Sequence, residues 1–455
     1  MKSIIALVVM AILLIPSNYS SNIKPGNELP SAEDIFSFFY LFRNKLREEN
    51  FFTDIDEIPE IIVEKNDIQL LENSSLCLVE AIKEFYETIG VEYEESKIEE
   101  FANSLHFKDI ENFAISSILY SYTKTIKSKN NEERNQNIFS TIEEVRKYSF
   151  LLMNTNFQET KFDCYGKIAF GGVKDDYYKN YIFIIDFGGN DFYDEGNSSF
   201  ILDLKGSDHY KKRDSENSYT FIFDMEGDDY HNNACYSSKS FSFLFDLKGN
   251  DSYYDQTCVA YENGTSLLID FSGNDLYEGK NFTQAFSSNG VAVLIDIFGD
   301  DTYISSSHSQ SSSIYGFSSL IDLYGNDVFY SSDASQSYSD GITSFSFLLN
   351  LFGDDFYKSG NYSQGYANGG YAIFFDFSGE DGYEVNHYSQ SCSIFGLSIF
   401  ADTGGKNSFS HGLFCQGKKL GGIALFLDKF EINDDLINII QNLKSNVWKF
   451  LSYFL

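Results

Sequence analysis

The apolar residues of this chain follow two periodicities, and the switch between them divides the protein. Over residues 23–160 they recur at helical spacing. "SAEDIFSFFYLFRNKLREEN" opens with Ser31 and Asp34 placed as a capping box, and "SSLCLVEAIKEFYETIG" starts on Ser and stops at Gly90. "STIEEVRKYSFLLMN" begins with Ser140 and Glu143, again spaced as a capping box. These segments predict an α-helical domain. From about Gly166 the texture becomes short apolar runs, Gly-Asn-Asp turns and Ser-rich stretches, which predict many short strands.

The strand half repeats. Its unit is three apolar residues, Asp, an apolar residue, any residue, Gly, Asn or Asp, Asp, any residue and an aromatic. The first Asp falls at Asp186, Asp203, Asp224, Asp246, Asp270, Asp296 and Asp322, then Asn350, Asp376, Asp402 and a truncated copy at Asp428. The intervals run 17, 21, 22, 24, 26, 26, 28, 26, 26 and 26 residues. Gln284, Gln310, Gln336, Gln364, Gln390 and Gln416 keep the same period. A strand-like repeat of this length is one coil of a parallel β-solenoid, whereas a propeller blade needs about 40 residues. The fold expected is therefore α+β multidomain: a helical domain at 23–160, a solenoid of about ten coils at 161–430, and a C-terminal helix. With strands about 4.8 Å apart, ten steps make a rod on the order of 50 Å long, wider at its C-terminal end.

Position by position, the unit makes further predictions. Alternation points the residues three before, one before and one after the first Asp into the coil. The residue two before Asp is apolar as well, from Ile184 and Ile201 to Phe374 and Phe400. Those residues share the face of the Asp, so either that face is covered, by the helical domain or a partner, or the strand bends to bury both sets. Glycine at Asp+3 fits a turn needing positive φ, and the Asp itself fits an acceptor for turn amides, a role Asn350 also fills. The aromatic at Asp+7 should stack from coil to coil.

Charge and composition narrow the partners. The net charge is −34, from 67 acidic and 33 basic residues, which disfavours nucleic acid. With 45 Phe and 32 Tyr the acidity does not mean disorder. The N-terminus has one early Lys and a 12-residue apolar run, Ile4 to Ile15, laid out as a secretory signal over residues 1–20. The expected location is secreted or cell surface. Among the six Cys only Cys235 and Cys258, at nearly the same place in consecutive repeats, present a pair to consider as bridged. Residues 431–455 carry Leu436, Ile439, Ile440, Leu443, Val447, Phe450, Leu451 and Phe454 at helical spacing, the pattern of a cap for the solenoid's open end; membrane contact through this helix or an uncleaved signal is the other reading.

The carboxylate pairs are the candidate chemistry. A glycosidase uses one such pair in one cleft, so a pair repeated in every coil reads as scaffold, with no catalytic residue assigned. Stacked carboxylates gain from Ca²⁺, a hard cation held by Asp and carbonyl oxygens. Asp270, Asp275, Asp296, Asp301, Asp322, Asp327, Asp376 and Asp381 are the calcium candidates. Turn capping without metal is the other reading, and calcium is the one cofactor considered.

Gly-Asn-Asp-x-Tyr is similar to the second half of the calcium-binding nonapeptide of RTX proteins, through Gly189, Asp191 and Tyr193. Asp186 stands where that nonapeptide has its first Gly, and the period is not tandem nines. Over residues 160–430 the chain more closely resembles uncharacterised secreted prokaryotic proteins. The resemblance rests on a lead-in like "GKIAFGGVKDDYY", the Asp-x-x-Gly-Asn/Asp-Asp-x-Tyr repeat and an intervening Gln. It implies a helical N-terminal part before a repeat domain, and no activity. The function expected is a structural or binding role towards glycans or cell-envelope components, more in keeping with a non-enzyme. The alternative is a polysaccharide lyase or glycoside hydrolase on a β-helix scaffold, which needs one coil that breaks the repeat. Scattered His209, His231, His308, His387 and His411 are the irregular residues.

Overall fold

The computed structural model describes residues 74–129, 131–157, 161–194, 199–211, 218–377, 379–402 and 404–428. The expected leader, the Ser31–Asp34 capping box and the C-terminal helix lie outside them. Among the described residues four helices come first: α1 (Ser74–Ile89), α2 (Glu95–Ser104), α3 (Asp109–Lys127) and α4 (Asn131–Met153). Helix α1 stops at Gly90, whose φ of 69° an L side chain rarely adopts. Ser140 does not start a helix. Helix α4 runs through it because Asn131 to Phe139 contains good helix formers and no breaker, and the Ser140 hydroxyl accepts from Ser121 at 3.2 Å. The carboxylate that closes a helix start is Glu111, which accepts the Lys108 N–H at 2.8 Å.

After an antiparallel hairpin of Phe162–Cys164 with Ile168–Gly171, the remaining described chain is a parallel β-solenoid. Strand Thr265–Asp270 pairs in parallel with Val291–Asp296, and that with Phe317–Asp322. The repeat Asp residues are thus register partners, continuing through Asn350, Asp376 and Asp402. After each turn a three-residue strand such as Leu276–Glu278 joins a second parallel sheet. Among the described residues a third row of short strands begins at Tyr236–Ser238 and continues through the longer repeats that follow.

The two strand faces are the reverse of the sequence expectation. The residues two before Asp, including Ile184, Ile222, Leu268, Leu320 and Phe400, pack inside the coil with the Asp+7 rings. Those three before, one before and one after point outward. Over the first coils the helices cover them: Phe101 stacks on Phe170 at 5.9 Å, and Tyr122 lies 5.4 Å from Phe200 and 5.9 Å from Phe221. Phe107 and Phe157 close on Phe187. Both faces are buried, but the covered face is not the one expected: the helices cover the residues that flank the Asp, and the face carrying the Asp is the inner one, with every repeat Asp from Asp186 to Asp402 fully buried.

The glycines and glutamines serve the corners. At most Asp+3 positions φ is not in the left-handed region, so turn conformation is not the general requirement. Close approach is. A Cβ on Gly325 would lie 1.7 Å from the Gly299 carbonyl oxygen and 2.4 Å from Asp327 Oδ1, and the same crowding recurs from Gly206 to Gly379. The glutamines hold the left-handed conformation instead, all six with φ of 48–57°. Their amides offset that strain by forming a ladder: Gln336 donates to Gln310 at 3.0 Å, Gln364 to Gln336 at 3.0 Å, and Gln390 to Gln364 at 3.3 Å. Cys235 and Cys258 are buried free thiols in consecutive coils, and each donates to main-chain carbonyls instead of bridging. Among the described residues no helix is long and apolar enough to cross a membrane.

Because the neighbour at Gly325 is main chain, Gly325→Ala must push two coils apart. We expect a loss of about 3 kcal/mol in urea unfolding, the upper end of what overpacking costs. An unchanged midpoint would show that the coils are not packed this closely.

Candidate functional site

Inside the solenoid the carboxylates form two adjoining columns. In the first, the Tyr of one coil donates its hydroxyl to the Asp of the next. Tyr277 reaches Asp296 Oδ2 at 2.7 Å, Tyr303 reaches Asp322 at 2.9 Å, Tyr357 reaches Asp376 at 2.9 Å and Tyr383 reaches Asp402 at 2.7 Å. The rings themselves stack at 4.5–5.2 Å between centroids from Tyr253 to Tyr383. Oδ1 of the first Asp caps its own turn where Gly188, Lys205 and Gly404 donate their amides to Asp186, Asp203 and Asp402.

In the second column, Oδ1 of each Asp accepts the N–H of its counterpart one coil earlier. Asp275 accepts from Asp251 at 2.6 Å, Asp301 from Asp275 at 2.7 Å, Asp327 from Asp301 at 2.8 Å and Asp381 from Asp355 at 2.9 Å. The other oxygen of Asp275, Asp301, Asp355 and Asp381 has no donor, nor has Oδ1 of Asp270, Asp296, Asp322 and Asp376. The eight Asp residues singled out from the sequence are therefore all assembled here, each at most 2% exposed. Carboxylates of neighbouring coils, such as Asp208, Asp224 and Asp229, bring one oxygen each within 4.8 Å of one another. No Lys or Arg side chain is among the described buried residues.

Such a column cannot be fully ionised. Burial, then the facing Asp270 and Asp296, push Asp275 up to about 11. Burial also raises Asp270 to about 7 despite its Tyr253 hydrogen bond, and burial with the Asp275 and Asp327 charges raises Asp301 to about 9. Asp296, Asp322 and Asp376 rise for the same two reasons. Without a cation, each facing pair retains a proton at neutral pH.

Two coils show how the molecule meets this demand without one. Phe329 occupies a Tyr position and has no hydroxyl to give, and the residue it would serve is Asn350 rather than Asp. The Asn350 amide instead donates to Asp327 at 3.4 Å. At Asn407 the amide oxygen accepts the Asp381 N–H at 3.0 Å, the role of a second-column Asp. His231, one of the scattered histidines in the sequence, stands at Asp224+7 in the aromatic ladder, a placement the sequence reading missed. It is stacked 4.6 Å from Tyr210 and 4.9 Å from Tyr253, and the signal was its position in the repeat. The other histidines do not join it, although His209 stacks in an outer aromatic row with Phe192 and Tyr230.

A third, outer column is exposed. It runs through Asn190, Ser207, Asp228, Asn250, Asn274, Asp300, Asn326 and Asp354. Each side chain accepts the N–H of the next coil, as Asn274 does from Asp300 at 2.9 Å and Asn326 from Asp354 at 3.0 Å. Comparison with protein-family models, curated proteins and solved structures gives no match to this chain.

Tyr303→Phe should strip a buried carboxylate of its donor and cost about 1–3 kcal/mol. Adding Asp322→Asn reproduces the Phe329–Asn350 arrangement and should recover most of that loss, with a coupling of about 1 kcal/mol in a double-mutant cycle. Strictly additive losses would refute the pairing.

The pH dependence has a definite sign. Folded carboxyls raised above their ordinary value near 4 give stability that is full below that value and lost as pH rises through the folded values. With Asp327 near 6, Asp270 and Asp381 near 7 and Asp301 near 9, the urea midpoint in chelator-treated buffer should fall steadily from about pH 5 to about pH 8. A midpoint that climbs over this range would contradict the shared protons.

Proposed function

We propose that this is a secreted or cell-surface rod with a structural or binding role, whose outer amide and carboxylate column meets an extended, hydroxyl-rich polymer such as a cell-envelope glycan. The observation that carries the reading is the exposed row from Asn190 to Asp354, one hydrogen-bonding side chain per coil and fixed by the next coil's backbone. A polymer with its own repeat presents hydroxyls at regular spacing, and a pre-organised row binds them without ordering side chains first. The repeated carboxylate pairs are buried, which removes them from contact with any such chain. The rod has about ten coils, with residues 431–455 as its cap. In calcium-containing surroundings, Ca²⁺ takes the place of the shared protons between the two inner columns, held by the Asp oxygens that lack donors.

A panel of immobilised polysaccharides tests the reading. The full chain should bind at least one neutral polymer without shortening it, and Asn274→Ala with Asn326→Ala should weaken that binding about tenfold or more, the effect of losing roughly 1.4 kcal/mol. In the same samples, millimolar calcium should raise the melting temperature over chelator, and Asp275→Asn with Asp301→Asn should remove most of that rise. Turnover of a polysaccharide, abolished by one point mutation, would replace this reading with that of a lyase or hydrolase.

A further inference from the structure

The coil around His231 differs from its neighbours in what its buried polar atoms lack. In most other coils a Tyr hydroxyl reaches the next Asp at close range, as Tyr210 does to Asp224 at 2.5 Å and Tyr253 to Asp270 at 2.6 Å. His231 replaces one such Tyr, and its ring ends short of where a phenol oxygen would be. Its Nε2 lies 3.3 Å from Asp246 Oδ2, and Tyr253 reaches back to the same oxygen at 3.3 Å. Asp246 is thus served by two long contacts where its counterparts have a short one. Its Oδ1 has no partner, as in the coils on either side, but here His231 Nδ1 has none either; both side chains are fully buried.

The shortfall is one of positive charge. Asp224, His231 and Asp246 each bring one atom within 4.8 Å of the others, and Asp229 and Asp251 form a second such group with Asp246. Four carboxyls and one imidazole hold a single class of group in excess, the acceptor. A water filling the gap has two hydrogens to give and leaves the charge untouched. A cation between Asp224, His231 and Asp246 is met by one atom of each. The His231 ring is fully buried beside these carboxylates, and a neutral imidazole has a lone pair to offer. An imidazole nitrogen beside carboxylate oxygens suits a borderline divalent ion of the zinc type and not calcium, which takes oxygen ligands.

We propose that His231, Asp224 and Asp246 form a structural site for one zinc-class divalent cation, enclosed within the coil and filled as the chain folds. It differs from the calcium reading in its nitrogen ligand and in its single occurrence, and neither reading depends on the other.

The test uses the full chain refolded with Zn²⁺ and then desalted into calcium-containing buffer. One zinc per chain should remain by elemental analysis, and Co²⁺ in its place should give visible d–d absorption. His231→Tyr is the decisive variant, because Tyr is what the ladder carries in most coils and the protein should fold. It should retain no zinc and show no cobalt band, and zinc should no longer raise its melting temperature. Asp275→Asn, two coils away, should keep the full zinc content. Retention of zinc by His231→Tyr at the wild-type level, or no retention by the wild type, would overturn the site.

Discussion

The cost of enclosing carboxylates governs this molecule. An aspartate removed from water needs donors or a counter-charge, and here about two per coil are removed. The Tyr hydroxyl, the turn amide and the neighbouring coil's N–H are the donors the chain supplies; the amide belongs to the Asp's own turn, and the other two come from a fixed place in the next or previous repeat. No coil can satisfy its own pair alone. The register of the solenoid follows from this, since slipping one strand by a residue would carry an Asp to the outer face and leave a hydroxyl facing an aliphatic side chain. Close glycine packing is the second condition. Only with no Cβ at Asp+3 do the turns approach closely enough for each N–H to reach the next carboxylate.

What the sequence made legible is what repeats. Two markers on one period disclosed the solenoid, and the eight Asp candidates fall in the columns expected of them. Less legible was direction. Alternation tells which residues share a face and not which face is inside, and pointing the apolar residues that flank the Asp into the coil chose the wrong one. The information needed was relational: Tyr and Asp lie in different repeats, and only the coil geometry brings Tyr303 to Asp322. Ser140 illustrates the complementary failure, in which a local motif for a helix start is overridden by helix formers on both sides.

The glutamines were visible as a rhythm and opaque as to purpose. Their left-handed backbone and amide ladder are consequences of a corner that exists only once coils stack. His231 was hidden for a related reason. A list of histidines presents it as scattered, whereas a list of Asp+7 positions presents it as the one imidazole in a row of rings.

The Phe329–Asn350 step bears on how such a chain can grow. Where a Tyr of one coil serves the Asp of the next, inserting a copy of any regular coil leaves every junction chemically identical, so duplication is tolerated wherever it falls. Phe329 and Asn350 belong to adjacent repeats and are matched to each other. A copy of the coil that begins at Asn350 would set the hydroxyl of Tyr357 against a second Asn, and a copy of the coil that ends in Phe329 would set a ring without a hydroxyl against an Asp. Lengthening by single coils is therefore open on either side of this step and closed across it. The seam divides the rod into two segments that can expand independently and must be inherited together.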